Sequence, residues 1–319
     1  MGVGGFRLDA VKEYYTGAPQ SNIEFLTWLT DTVKSQKEDA YLVGEVWLDM
    51  ADYAKYYESG IDSIFDFAFA DKDGIISKVL NGSSAAKYGA AIASIDDTYG
   101  AYNDQYIDAP FYTNHDMGRS AGYYAGEYSA AQTKMAGAMN LFMSGSAFLY
   151  YGEELGMKGS GKDENKRAPM YWSMDPSAEG MCDGPADMDD VKMKFESLEE
   201  QAEDPDSVYQ YYKRVIKIRN QNPEIARGKA EYVLVGDFLA EDTKESVCAV
   251  KKTYEGSEIL MIFVTGNETE ELDLSGITLN GSAIGSDTQI VGALTTGEED
   301  IRFENGTAVM PGFSVLVLK

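Results

Sequence analysis

Short apolar runs alternate with helical stretches through the first part of this chain, and that alternation restricts it to a sheet of parallel strands crossed by helices. It predicts strands at 5–9, 41–46, 62–67, 111–114 and 147–151. Between them, Ile23, Leu26, Leu29 and Val33 recur at helical spacing, 50–58 reads as a short helix and 85–98 as an alanine-rich one. Ala131, Met135, Met139 and Phe142 share the face of another helix. Val208, Tyr211, Tyr212, Val215 and Ile216 mark the clearest helix, with Asp204 before Pro205 expected as its cap and first turn. Parallel neighbours need a crossover, so the fold class is α/β.

Past Asn222-Pro223 the period changes. Runs at 232–235, 247–251, 259–264, 289–291 and 313–318, separated by Gly, Asn, Asp and Ser turns, predict a small antiparallel sandwich that begins near Gly228. The acid-rich stretch 183–206 reads as a solvated loop.

Charge and composition narrow the partners. The chain has 53 acidic against 27 basic residues, a formal charge of −26, which repels nucleic-acid phosphates and anionic membrane surfaces. Cys182 and Cys248 are its only cysteines and His115 its only histidine, too few for a disulfide scaffold or a zinc site. The apolar-rich stretch 136–152 is shorter than the roughly 20 residues of a bilayer span. The opening MGVGGFRLDA shows no legible export signal, so the compartment stays open, as does the oligomeric state. GVGG precedes a strand rather than a helix, which makes it a weak phosphate loop. The 22 Tyr and 3 Trp supply rings with polar tips that suit sugar-like ligands.

The residues that carry chemistry sit where strands end. In GFRLDA, the period of two puts Arg7 and Asp9 on one face and Phe6 and Leu8 on the other. Glu45 closes the second strand, in GEVW, and Asp116 follows the fourth, in YTNHD. Functional side chains of parallel α/β sheets gather at carboxyl ends, so three carboxylates are expected on one rim, where one serves as acid and another as base. His115, beside Asp116, reads as a donor to a ligand hydroxyl.

These segments resemble a known family. GFRLDAVK, GEVW and TNHD are similar, in order, to the second, third and fourth short blocks of the α-amylase family, glycoside hydrolase family 13. YYGEELGM followed by KDENKRAPMYWS resembles that family's segment after the last barrel strand. The resemblance implies a (β/α)8 TIM barrel acting on α-linked glucans with retention. It assigns Asp9 as nucleophile, Glu45 as general acid/base and Asp116 as the carboxylate that holds sugar hydroxyls, with Arg7 and His115 as polar supports. Arg7 is expected to keep Asp9 ionised, and a less polar setting beside Val46 and Trp47 to keep Glu45 protonated until it donates. Lys12 and Trp47 are expected to touch the leaving-side sugars, and Asp163 and Arg167 those on the other side.

The same resemblance implies a partial barrel, strands 4 to 8, at 1–226 and an all-β domain at 227–319. Only five strand-helix units are counted, where a closed barrel has eight. The first three units and the family's first block are therefore expected on a longer polypeptide, with Met1 an internal methionine and the present chain weakly stable alone. No metal or other cofactor is read from these residues; structural calcium is a family property placed with the full-length protein, and Glu13 stands where many members have His. The implied substrate is starch or maltooligosaccharide, cleaved at α-1,4 bonds. An α-1,6-glucosidase, a glucanotransferase and a non-catalytic glucan-binding fragment are the competing readings.

Overall fold

The computed structural model describes residues 2–235 and 245–319. Its first part is built on parallel strands. β1 (Gly5–Leu8), β2 (Tyr41–Gly44) and β3 (Ser63–Ile64) lie side by side in that order, in the register Leu8↔Gly44 and Gly44↔Ile64. β1 forms the edge, and Val3 and Phe6 are exposed there.

The predicted strands at 111–114 and 147–151 are not regular strands. An isolated parallel bridge, Phe65↔Ala109, forms just before the first run and another, Phe111↔Phe148, between the two; they carry the same direction onward without forming ladders. Rings fill the space between them: Phe65 packs edge-on against Phe111 and Phe148 at 5.4 and 4.9 Å.

Helices follow the strands. α1 (Pro19–Gln36) starts with a proline, whose fixed φ suits the first turn, and buries Ile23 and Leu26. α2 (Met50–Tyr53) tightens into a 3-10 turn at Ala54–Ser59, so the predicted 50–58 helix is present but only half α-helical. α3 (Ile75–Leu80), α4 (Ala86–Gly100) and α5 (Ser129–Leu141) come next.

After the short α6 (Asp163–Lys166), α7 (Leu198–Glu203) occupies part of the stretch expected to be a solvated loop. Its Gln201 is buried and donates to Leu155 O at 3.0 Å, a tie that local composition did not reveal. α8 (Val208–Gln221) buries Val208, Tyr211, Tyr212 and Val215. Its cap is Ser207, whose Oγ accepts from Gln210 N at 3.1 Å, and not Asp204, which ends α7 instead. α9 (Pro223–Arg227) leads into the strands.

The last part is antiparallel. β4 (Lys229–Val233), β5 (Val247–Tyr254) and β6 (Ser257–Val264) are followed by β7 (Glu270–Asp273) and a small pair, β8 (Thr278–Leu279) and β9 (Ser282–Ala283). β10 (Ile290–Leu294), β11 (Arg302–Glu304), β12 (Thr307–Met310) and β13 (Ser314–Leu318) complete it. One sheet runs β10-β13-β6-β5-β4 and another β11-β12-β7. Ala249, Leu260 and Ile262 of the first share an apolar cluster with Leu272, Ala308 and Met310 of the second. The sheet's other side, with Val250, Met261 and Phe263, joins the main core beneath the helices.

Two buried cations brace the end of α5, and one of them, Lys252, ties the two parts together. Lys252, fully buried on β5, donates to Phe142 O at 2.8 Å, Ser144 Oγ at 2.9 Å and Ile225 O at 2.6 Å. Arg219 of α8 donates to Leu141 O, to Met143 O at 2.6 Å and to Gly145 O at 2.6 Å. The carbonyls around the end of α5, which have no partner inside the helix, are thus satisfied from two other elements.

Candidate active site

Register places the first two carboxylates. Because Leu8 pairs with Gly44, the next residues of β1 and β2, Asp9 and Glu45, emerge from neighbouring strands at the same carboxyl end. Backbone bonds extend beyond the strands, Glu45 N to Leu8 O and Val11 N to Glu45 O, both at 2.9 Å. Ala10 then takes a left-handed turn, φ 41°, an uncommon conformation for a residue with a side chain, and starts the 3-10 turn Val11–Glu13.

Arg7 joins the pair: its Nη1 donates to Asp9 Oδ1 and its Nη2 to Glu45 Oε2. The two acids differ in environment, since the Asp9 side chain is 77% exposed and that of Glu45 10%. Glu45 is therefore buried, and its immediate partner is a guanidinium rather than the less polar setting expected beside Val46 and Trp47. Trp47, exposed, stacks on Phe67 with centroids 5.0 Å apart. Lys12 turns to Glu13 at 3.2 Å. Burial and then the Asp9 charge raise the Tyr14 phenol, the nearby Arg7 opposing them.

Asp116 belongs to a second group on the loop after the Phe111 bridge. Arg167 Nη2 donates to Asp116 Oδ1 at 2.8 Å, and Arg167 Nε to His115 O at 3.2 Å. His115 Nε2 lies 3.3 Å from Asp116 Oδ2. Asp163 stands 3.7 Å from Arg167 and is held below the usual carboxylate range by its hydrogen bond from Lys166, at 2.9 Å. Lys166 also donates to Asp116 O at 2.9 Å. All these residues were expected at the site except Lys166. The structure gathers them as two sets, Arg7 with Asp9 and Glu45, and His115 with Asp116, Asp163 and Arg167. Among the described residues no hydrogen bond or ion pair links one set to the other; both follow carboxyl ends of the same parallel array.

Beneath the second set lie groups that the sequence did not single out. Glu153 is fully buried, accepts from Thr113 Oγ1 and from Tyr150 N at 3.3 Å, and is pushed by burial up to about 8. Arg119 is buried against the Tyr150 and Tyr151 rings, 4.7 and 4.6 Å from their centroids, and the two rings meet edge to face 4.7 Å apart. The YYGEELGM segment contains three of these residues, yet nothing local in it shows that they reach the Asp116 loop. Among the described residues no three His, Cys, Asp or Glu side chains stand together as metal ligands, and no helix is long and apolar enough to cross a membrane.

Residues 1–228 match the model of the α-amylase catalytic domain. The chain belongs to the α-amylase catalytic-domain family. This is a family of TIM-barrel enzymes. Alpha-amylase 3 of Dictyoglomus thermophilum is 31% identical over 300 residues, an alignment that covers 86% of this chain and 54% of that protein. Alpha-amylase SusG of Bacteroides thetaiotaomicron is 28% identical, covering 86% of this chain and 40% of that one. Eubacterium rectale Amy13B superposes on all of this α-amylase-family chain with a TM-score of 0.92 and 45% identity, and the match covers 60% of Amy13B. The chain thus spans about half the length of the relatives it matches. More distant members are named 4-alpha-glucanotransferase (Thermotoga maritima, 24% identical) and probable oligo-1,6-glucosidase 2 (Bacillus subtilis, 28% identical).

Proposed function

We propose that this chain carries the reaction centre of a retaining glycoside hydrolase that cleaves α-1,4-glucosidic bonds of starch or maltooligosaccharides. The carrying observation is the Asp9–Arg7–Glu45 bridge across two neighbouring parallel strand ends. A retaining mechanism uses two carboxyl groups about 5 to 5.5 Å apart. Asp9, the accessible one, attacks the anomeric carbon; Glu45 protonates the leaving oxygen and then takes a proton from the water that releases the sugar. Asp116 holds ring hydroxyls, aided by His115. Asp163 and Arg167 contact sugars on the glycone side, Lys12 and Trp47 those on the leaving side.

In this reading 1–226 is the second part of a (β/α)8 barrel, strands 4 to 8, and 227–319 an all-β sandwich. The parallel order of the first part and the shared apolar cluster of the two antiparallel sheets support that division. No step here depends on a metal ion.

The covalent sugar on Asp9 is open to water or to a second sugar, so the relatives named as glucanotransferases mark transfer as the competing outcome. Product analysis on maltoheptaose decides: shorter linear sugars alone favour hydrolysis, longer ones transfer. Glu45→Gln should lower turnover of maltoheptaose by about 10²–10⁴-fold. Glucan binding with no turnover, unchanged by Glu45→Gln, would replace this reading with a binding fragment.

A further inference from the structure

Arg119 is 2% exposed, and among the described residues it forms no ion pair. A buried guanidinium without a counter-charge is expensive, and a well-packed apolar side chain of similar size is as stabilising or more so. What Arg119 does have is directional. Its Nη1 donates to Tyr151 O at 2.6 Å, its Nη2 to Ala168 O at 3.3 Å, and it packs against both tyrosine rings. Gly152 leaves the necessary room, since a Cβ there would lie 2.9 Å from Arg119 Nη1 and 2.4 Å from Met157 Sδ.

The target of these contacts is the segment that presents Arg167. Tyr151 Oη donates to the same Ala168 O at 2.7 Å, and Tyr150 Oη to Lys166 O at 3.1 Å. The carbonyls on both sides of Arg167 are therefore held from below by one cluster of three side chains. Above, Arg167 bonds Asp116 Oδ1 and His115 O. The Arg119 backbone is itself fixed, its N–H donating to Gly159 O at 2.9 Å.

We propose that Arg119, packed against the Tyr150–Tyr151 pair, is a positioning residue that seats Arg167 on Asp116. The arrangement of the loops stands on geometry alone; its consequence for glucan turnover rests on the function proposed above.

The test uses the 319-residue chain and its single histidine, whose imidazole protons report on the Asp116–Arg167 pair. Arg167→Ala calibrates the signal displacement that follows loss of the seat. Arg119→Met is expected to reproduce at least half of that displacement while the thermal midpoint stays at or above that of the parent; Arg119→Lys, which keeps a donor, should show less. Tyr151→Phe removes the hydroxyl, with its bond to Ala168 O and its contact with Tyr150, and should move the signal in the same direction, which keeps the test decisive if Arg119→Met does not fold. An unmoved imidazole signal in Tyr151→Phe and in a folded Arg119→Met overturns the proposal. In an active preparation, Arg119→Met should raise KM for maltoheptaose about tenfold, the effect of one lost charge-assisted bond, with a smaller change in kcat. The imidazole readout does not depend on turnover, so a failed glycosidase reading leaves it intact.

Discussion

Glu153 gives the fold a pH dependence that runs opposite to that of an ordinary surface carboxylate. The side chain is fully buried, and its raised value of about 8 stands against an ordinary 4.5. Desolvation is the main cause; the Thr113 and Tyr150 hydrogen bonds oppose it, and the charge of Glu154 adds to it. Tyr212 and Tyr123 also face it, and both phenols are raised mainly by their own burial.

A group whose folded value lies above its unfolded one binds a proton preferentially in the native state. Its stabilisation is complete below pH 4.5, falls with each pH unit above that, and is gone above about pH 8. At about 1.36 kcal/mol per unit, the interval from 4.5 to about 8 amounts to about 5 kcal/mol, of which about 3 is lost by pH 7. Glu153→Gln replaces the acid by a neutral group of the same shape and should remove this slope. Urea unfolding of both proteins at pH 5, 6, 7 and 8 measures it. The variant should be about as stable as the parent at pH 5 and more stable at pH 8, by several kcal/mol. A stability difference that stays constant to within about 1 kcal/mol from pH 5 to pH 8 would refute the claim that Glu153 is native only as the neutral acid.

Two further substitutions probe the packing that carries the site. Lys252→Ala leaves Phe142 O, Ser144 Oγ and Ile225 O without their shared donor; it should destabilise the chain by about 3 kcal/mol in thermal or urea unfolding, and an unchanged midpoint would show that the two parts are held together otherwise. Gly137→Ala places a Cβ 2.3 Å from the buried Tyr212 ring between α5 and α8. It should cost about 1–3 kcal/mol through overpacking, while a control such as Gly100→Ala, where a Cβ meets nothing, should not.

Much of this was legible from residue order. Alternating apolar runs and helical spacings imposed a parallel sheet, because strands that point the same way can be joined only by crossovers. The residues just after those runs, Asp9, Glu45 and Asp116, could then be placed at carboxyl ends without coordinates. Local signals were weaker at 111–114 and 147–151, where hydrophobic runs long enough for strands form only single bridges. They also failed at 204–207, where Asp204 was expected as the cap and Ser207 is the residue that caps α8.

What tertiary structure alone decided was contact across long separations. A period of two tells which side Arg7 shares with Asp9, but the register Leu8↔Gly44 is needed to bring Glu45 into its reach. Thr113 and Glu153 are 40 residues apart, Arg119 and Ala168 49. Their partnership depends on how separate loops stack over the same strand ends, and no pattern of neighbouring residues encodes that. Asp9, Glu45 and Asp116 were written in the sequence; the burial that raises Glu153, and the contacts that hold the carbonyls on either side of Arg167, came from the packing around them.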